Sequence, residues 1–198
     1  MLNCDYAGNT SYNFYNKCCI DSDNINVVGA YPYNKIEKVL SCFKDVDKWT
    51  EFYLPEIVDI PVVKPDIEAI VEVHSCIEII SQRVIKTPVV SGYTSPNGVF
   101  IQGENIQNSE CTNLTGRKLI IEGLLRQKII YTAALDEQSI HSASFVIPFS
   151  TFIIIEKDTP LSQKFIITPY IEDIFACRLS ERSVFKNTTI FIKASRIC

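Results

Sequence analysis

Histidine is nearly missing from this chain of 198 residues: there are two, His74 and His141, beside one tryptophan and one methionine. That leaves little for acid–base chemistry or for imidazole ligation. No C-x-x-C pair occurs, so neither a zinc site of short-spaced ligands nor a dithiol redox motif is expected. The seven glycines are scattered and build no phosphate-cradling loop. Lys and Arg never run beyond two adjacent residues and the formal net charge is −4, which argues against the basic stripe of a nucleic-acid binder. Apolar runs such as Phe152 to Ile155 are too short to cross a bilayer, so no membrane span is expected. Met1 to Asp5 shows neither a basic n-region nor an apolar h-region, so no signal peptide is expected.

Against these shortages stand eight cysteines: Cys4, Cys18, Cys19, Cys42, Cys76, Cys111, Cys177 and Cys198. Such a count without an export signal fits a protein made inside a cell that later meets oxidising surroundings, for example when that cell lyses. Hydrophobic residues at 46% and charged residues at 21% give a globular balance.

The chain divides by composition into a polar, cysteine-bearing N-terminal arm and connector, 1–47, and a β domain, 48–198. The first 26 residues are rich in Asn, Tyr and Ser. Ile36, Val39, Leu40 and Phe43 then fall at helical spacing, predicting a short helix or an irregular connector. From Trp49 onward Ile, Val, Thr and aromatics dominate, with Pro and Gly at short intervals, and strands are expected. Pro65 to Glu68 could open one helical turn. Val71 to Val84 reads as a strand, and Ser95-Pro96-Asn97-Gly98 as the turn of a hairpin between Val84–Tyr93 and Val99–Gln102. In Lys118 to Ala133, Leu119, Ile121, Leu125, Ile129 and Tyr131 share a face, with a bulge expected at Gly123. Phe149 to Ile155 is apolar on both faces and should be a central strand. Ile171, Phe175, Cys177 and Leu179 are expected on one face, followed by a loop over Ser180 to Asn187. Strands at this spacing without alternating helices predict an all-β fold, an antiparallel sandwich or a barrel-like domain with an extended N-terminal arm.

No constellation of residues carries chemistry. His141 has Ser139, Ser142 and Ser144 near it, but no G-x-S-x-G elbow exists. Glu51 with Glu56, and Asp136 with Glu137, read as solvated turn charges rather than paired acids. No catalytic, cofactor-binding or metal-binding residue is expected, and the chain is not expected to be an enzyme. The three Asn-x-Ser/Thr triplets, at Asn9, Asn113 and Asn187, read as chance. Cysteine is the informative residue. Adjacent cysteines lie about 3.8 Å apart, short of the ~5.5 Å that a disulfide prefers, so Cys18 and Cys19 suit separate partners. Cys4, Cys18, Cys19 and the terminal Cys198 are the candidates for intermolecular disulfides. Cys42, Cys76, Cys111 and Cys177 are the candidates for buried or intramolecular positions; Cys76 and Cys177 fall in apolar strands, Cys42 and Cys111 in connector and loop.

Several segments are familiar in their order. Trp49-Thr50-Glu51-Phe52-Tyr53-Leu54-Pro55-Glu56 leads to Ile60-Pro61 and Lys64-Pro65-Asp66-Ile67-Glu68. Then come Ile80 to Pro88, Leu114-Thr115-Gly116-Arg117-Lys118-Leu119-Ile120-Ile121-Glu122-Gly123, Gln127-Lys128-Ile129-Ile130-Tyr131, His141-Ser142-Ala143 and Val146-Ile147-Pro148-Phe149. Over about 48–194 the chain resembles the SPOCS-domain family of clostridial spore proteins. The resemblance implies a spore context: coat, exosporium or surface appendage, made in the mother cell. It implies no catalytic residue and no cofactor. The expected role is a structural subunit that assembles with itself into a lattice or filament stabilised by intermolecular disulfides, among other spore envelope proteins. The alternative is a non-enzymatic module that recruits other coat morphogenetic proteins.

Overall fold

A computed structural model describes residues 25–42, 48–89, 92–102 and 115–197. Nine strands and one helix occur among them: β1 (Asn26–Val28), α1 (Tyr33–Ser41), β2 (Lys48–Asp59), β3 (Ile67–Val89), β4 (Tyr93–Thr94), β5 (Phe100–Ile101), β6 (Thr115–Ala133), β7 (Ile140–Ile154), β8 (Phe165–Arg178) and β9 (Ser183–Arg196). One sheet has the order β1-β3-β6-β7 and the other β2-β9-β8; β4 and β5 make a separate small hairpin. Every pairing is antiparallel except β1, which lies parallel to β3 over Glu72–His74. The fold is the expected all-β sandwich, and its two sheets stay open rather than closing into a barrel.

Alternation builds the core. The inward phase of β6 carries Leu119, Ile121, Leu125, Ile129 and Tyr131, all with no exposed surface. Opposite them, β9 supplies Val184, Ile190, Ile192 and Ala194, and β8 supplies Ile171, Ile174 and Ala176. Each fully buried aliphatic side chain stabilises by roughly 1.5–3 kcal/mol, so the facing β6 and β9 sets contribute a large share of the hydrophobic term. Phe52 and Phe149 meet across the sandwich with ring centroids 5.5 Å apart.

Several local expectations change. No helical turn forms at Pro65–Glu68; turn geometry falls at Val62–Val63, and β3 starts at Ile67. The Ser95–Gly98 turn closes only β4 on β5, while Val84 and Val89 pair with β6. The bulge expected at Gly123 belongs to the partner strand: the register slips between Ile79 and Ser81, leaving Ile80 extra. Gly123 has another role. A Cβ there would lie 2.5 Å from Phe149 Cζ and 2.8 Å from the Glu78 carbonyl oxygen, so the missing side chain is the seat of the Phe149 ring. β7 is an edge strand, not a central one, because β6 pairs one side of it and nothing described pairs the other. In β8 a slip between Ile171 and Asp173 makes Ile174 and Ala176, not Phe175, continue the inward face. The Ser180 to Asn187 loop is shorter than expected, since β9 begins at Ser183.

Candidate functional site

The connector after the arm is docked on the sandwich. β1 adds to the start of β3, the Tyr31 amide donates to the Ile171 carbonyl at 2.8 Å, and the Tyr31 ring meets Tyr170 edge-on. Tyr170 in turn lies against Phe191, on which Trp49 stacks, so an aromatic band crosses the outer face of the second sheet. Between β1 and Tyr31 the chain must leave β3 abruptly. Gly29 makes that exit with φ 110°; a Cβ would meet the Ser75 carbonyl oxygen at 2.0 Å. Only glycine allows the left-handed turn and this approach together.

Beyond that exit, β3 from Ser75 to Val89 pairs only with β6 among the described residues. Such an edge offers a row of unpaired amides and carbonyls. Three of the edge strands, β2, β7 and β8, each carry an internal proline: Pro55, Pro148 and Pro169. Proline removes a ladder donor and blunts an edge. β3 has none between Ser75 and Thr87, though the Ile80 bulge and the exposed Arg83 and Lys86 interrupt it. Cys76 stands at the start of this open stretch, between two clefts. The larger, about 630 Å³, opens between connector, β3 and β8; the smaller, about 400 Å³, reaches Gln127 and Phe145.

The cysteine expectations are revised accordingly. Cys76 is exposed and free, not buried. The inward phase of β3 is set by Val73 and Ser75, so its neighbour Cys76 faces out. Cys42 is also exposed and free, at the C-cap of α1. Cys177 is fully buried and disulfide-bonded; its partner lies outside the described residues. Cys4, Cys18, Cys19, Cys111 and Cys198 lie outside the described residues, as does the arm through residue 24.

Behind Cys76, five polar side chains meet between the sheets. Lys186 of β9 has no exposed surface, nor has Thr188; Gln127 of β6 and Ser75 of β3 are buried. Glu56 of β2 completes the group, at 13% exposure. Lys186 Nζ donates to Gln127 Oε1 and, at 3.1 Å, to Glu56 Oε2. Gln127 Nε2 donates to Ser75 Oγ and Thr188 Oγ1, both at 3.0 Å. The Phe145 ring centroid is 5.2 Å from Nζ. Burial pushes the Lys186 ammonium below the usual lysine range, and the attraction of Glu56 opposes that shift.

This cluster is not apparent from residue type alone. Glu56 was expected to be a solvated turn charge, but its phase along β2 is that of Phe52, Leu54 and Val58, which points it inward; Glu51 faces out. Lys186 was expected in a loop, yet it shares the inward phase of Val184 and Ile190. Gln127 sits between Leu125 and Ile129 on the buried face, and that spacing alone would have flagged it.

The histidines are apart from the cluster's hydrogen bonds. His74 Nε2 lies 3.0 Å from Glu72 Oε2 without the alignment of a hydrogen bond. His141 Nε2 lies 3.1 Å from Ser139 Oγ, and its ring tilts against Tyr131.

Arg182, in the β8–β9 turn, was also missed. Its guanidinium donates to the carbonyls of Ile60, Pro61 and Lys64 and pairs with Asp66. It thereby shapes the loop made by the Ile60-Pro61 and Lys64-Pro65-Asp66 motifs, to which Tyr131 adds an O–H bond to the Pro65 carbonyl at 3.1 Å.

The profile of the family described as "SipL, SPOCS domain" matches residues 66–178, more than half of the chain. The chain belongs to the SPOCS domain family. Membership places it among sporulation-related proteins. The matched segment of the SPOCS domain runs from β3 through β8. β2 and β9, which complete the second sheet and bring Glu56 and Lys186, lie outside the match. No curated protein and no solved structure matches the chain. Among the described residues no helix is long and apolar enough to cross a membrane.

Proposed function

We propose that this SPOCS-domain protein is a structural subunit of the outer layers of the spore. It assembles with copies of itself through the open edge of β3, and exposed cysteines lock the contact. One observation carries the reading: β3 leaves an edge open over Ser75–Thr87 with no internal proline, unlike the edge strands β2, β7 and β8, and a free, exposed Cys76 stands where its pairing with β1 stops. The edge already takes a parallel strand from the connector over Glu72–His74. Main-chain pairing would extend the same sheet, a mode in which backbone bonds give affinity and alternate side chains give register. Of the remaining cysteines, Cys4, Cys18, Cys19 and Cys198 are the candidates for further cross-links. The role is non-enzymatic and needs no cofactor.

The test is assembly of the purified protein and of material from spores, imaged and run on gels with and without reductant. Particles, with a ladder that reductant collapses and that Cys76→Ser weakens, are expected. A monomer under both conditions, with no particles, would refute the reading. A stable one-to-one complex with a different coat protein, without self-assembly, would favour the recruiting role instead.

A further inference from the structure

We propose that Lys186 and Gln127 join in an autocatalytic isopeptide bond that staples the two sheets, with Glu56 moving the protons. The proposal is independent of how copies assemble. It rests on a side-chain arrangement with three parts: an amine, a carboxamide and a carboxyl group, enclosed together between the sheets.

The amine is Lys186 Nζ, without exposed surface and bound to both other partners. The electrophile is the Gln127 carboxamide. Its oxygen already accepts from Nζ, so the carbon to be attacked is one carbonyl bond away, about 1.2 Å. Its nitrogen is held by the hydroxyls of Ser75 and Thr188, which fix the amide plane. The carboxyl is Glu56, with Oε2 3.1 Å from Nζ and Oε1 buried without a hydrogen-bond partner among the described residues. An unpartnered buried carboxylate oxygen is costly; it becomes reasonable as a place that holds a proton during a reaction.

The steps balance. The Lys186 ammonium gives one proton to Glu56, leaving a neutral amine and a neutral acid. Enclosure favours that exchange, because burial disfavours both charged forms. Nζ then attacks Gln127 Cδ, forming the C–N bond as the carbonyl electrons move onto Oε1. A second proton passes from Nζ through Glu56 to Nε2. The Cδ–Nε2 bond breaks, the carbonyl re-forms, and ammonia leaves. The product is one secondary amide, with the first proton still on Glu56. No oxidant or second reactant is consumed. The smaller cleft reaches Gln127 and Phe145, giving ammonia a way out. Fixed neighbours can raise the effective concentration of a reactant by orders of magnitude, which is what an unactivated amide requires.

Intact mass of the folded, fully reduced protein tests this directly. The expected mass is lower than that of the sequence by one ammonia, and proteolysis should yield a branched peptide joining the Lys186 and Gln127 segments. Lys186→Met and Glu56→Gln should each restore the full sequence mass. Circular dichroism would report whether the variants fold, and the wild-type mass decides the matter even if they do not. Wild-type protein that keeps its full mass after prolonged incubation overturns the proposal. So does loss of ammonia that persists in a folded Lys186→Met variant, which would place the reaction on a group other than Lys186.

Discussion

Replacing Arg182 tests whether one side chain holds the β2–β3 loop to the sandwich. Its guanidinium serves the carbonyls of Ile60 at 3.1 Å, Pro61 at 2.8 Å and Lys64 at 3.2 Å, besides Asp66. A hydrogen bond to a charged group contributes about 1.5–3 kcal/mol when shielded. Here the side chain is 33% exposed and Asp66 41%, so water replaces part of what is lost. The ion pair itself deserves no more than about 1 kcal/mol at that exposure. Allowing for rehydration of the carbonyls, Arg182→Ala should cost roughly 2–4 kcal/mol. Arg182→Lys should recover only the ion pair, because an ammonium cannot present a planar fork to three carbonyls. With a urea m-value of about 2 kcal/mol/M, the Ala variant should lose roughly 1–2 M in its unfolding midpoint. Equal midpoints for wild type, Lys and Ala variants would refute the carbonyl cage. A Lys variant matching wild type while Ala falls would show that charge alone suffices.

Other consequences follow from single positions. Gly123→Ala should destabilise by about 1–3 kcal/mol through overpacking; adding Phe149→Leu should relieve the ring contact but not the 2.8 Å approach to the Glu78 carbonyl, so thermal melts should show partial rescue only. Glu122 is held below the usual carboxylate range by hydrogen bonds from Ser81 and Arg83 and by the Arg83 charge. A depressed folded pKa stabilises above the unfolded value, and that contribution fades as pH falls through the folded one. The stability gap between wild type and Glu122→Gln should therefore narrow in urea titrations from pH 6 down to about pH 3. Native protein treated with a maleimide should react at Cys42 and Cys76, and Cys76→Ser should lower the labelling by one equivalent, read by mass.

How much of this was legible depended on phase. The inward set of β6 could be read from alternation because every second residue from Leu119 to Tyr131 is apolar, apart from Gly123 and Gln127. The same rule places Gln127, Lys186 and Glu56 inward, yet their polarity suggested solvent. A buried polar residue is recognised only when its partners are known, and these lie on three different strands. Bulges defeated phase elsewhere. Glu172 shifts β8 by one residue and so moves Phe175 off the core face, and no residue type announces that slip. Cys76 was misplaced for a simpler reason: the apolar character of the strand outweighed its phase, which Cys76 shares with Glu72, His74 and Glu78 and not with Val73, Ile77 and Ile79. The Arg182 cage was invisible because its acceptors are backbone carbonyls, which every residue has.

The order of strands also has a consequence for how the molecule forms. β9 is the middle strand of its sheet, pairing with both β2 and β8, and it comes last of the nine. Asp59 and Ser183, which meet at one end of that sheet, are 124 positions apart in sequence. Such non-local pairing makes folding slow. During synthesis, β2 emerges with Phe52, Leu54, Glu56 and Val58 on its inward face and must wait for nearly all of the chain before it has a neighbour. The first sheet can close meanwhile, since β3, β6 and β7 are consecutive apart from a small hairpin. A half-built sandwich with one bare apolar face is therefore the natural intermediate. The time it survives in the producing cell is set by how quickly the last strand slides between its two partners.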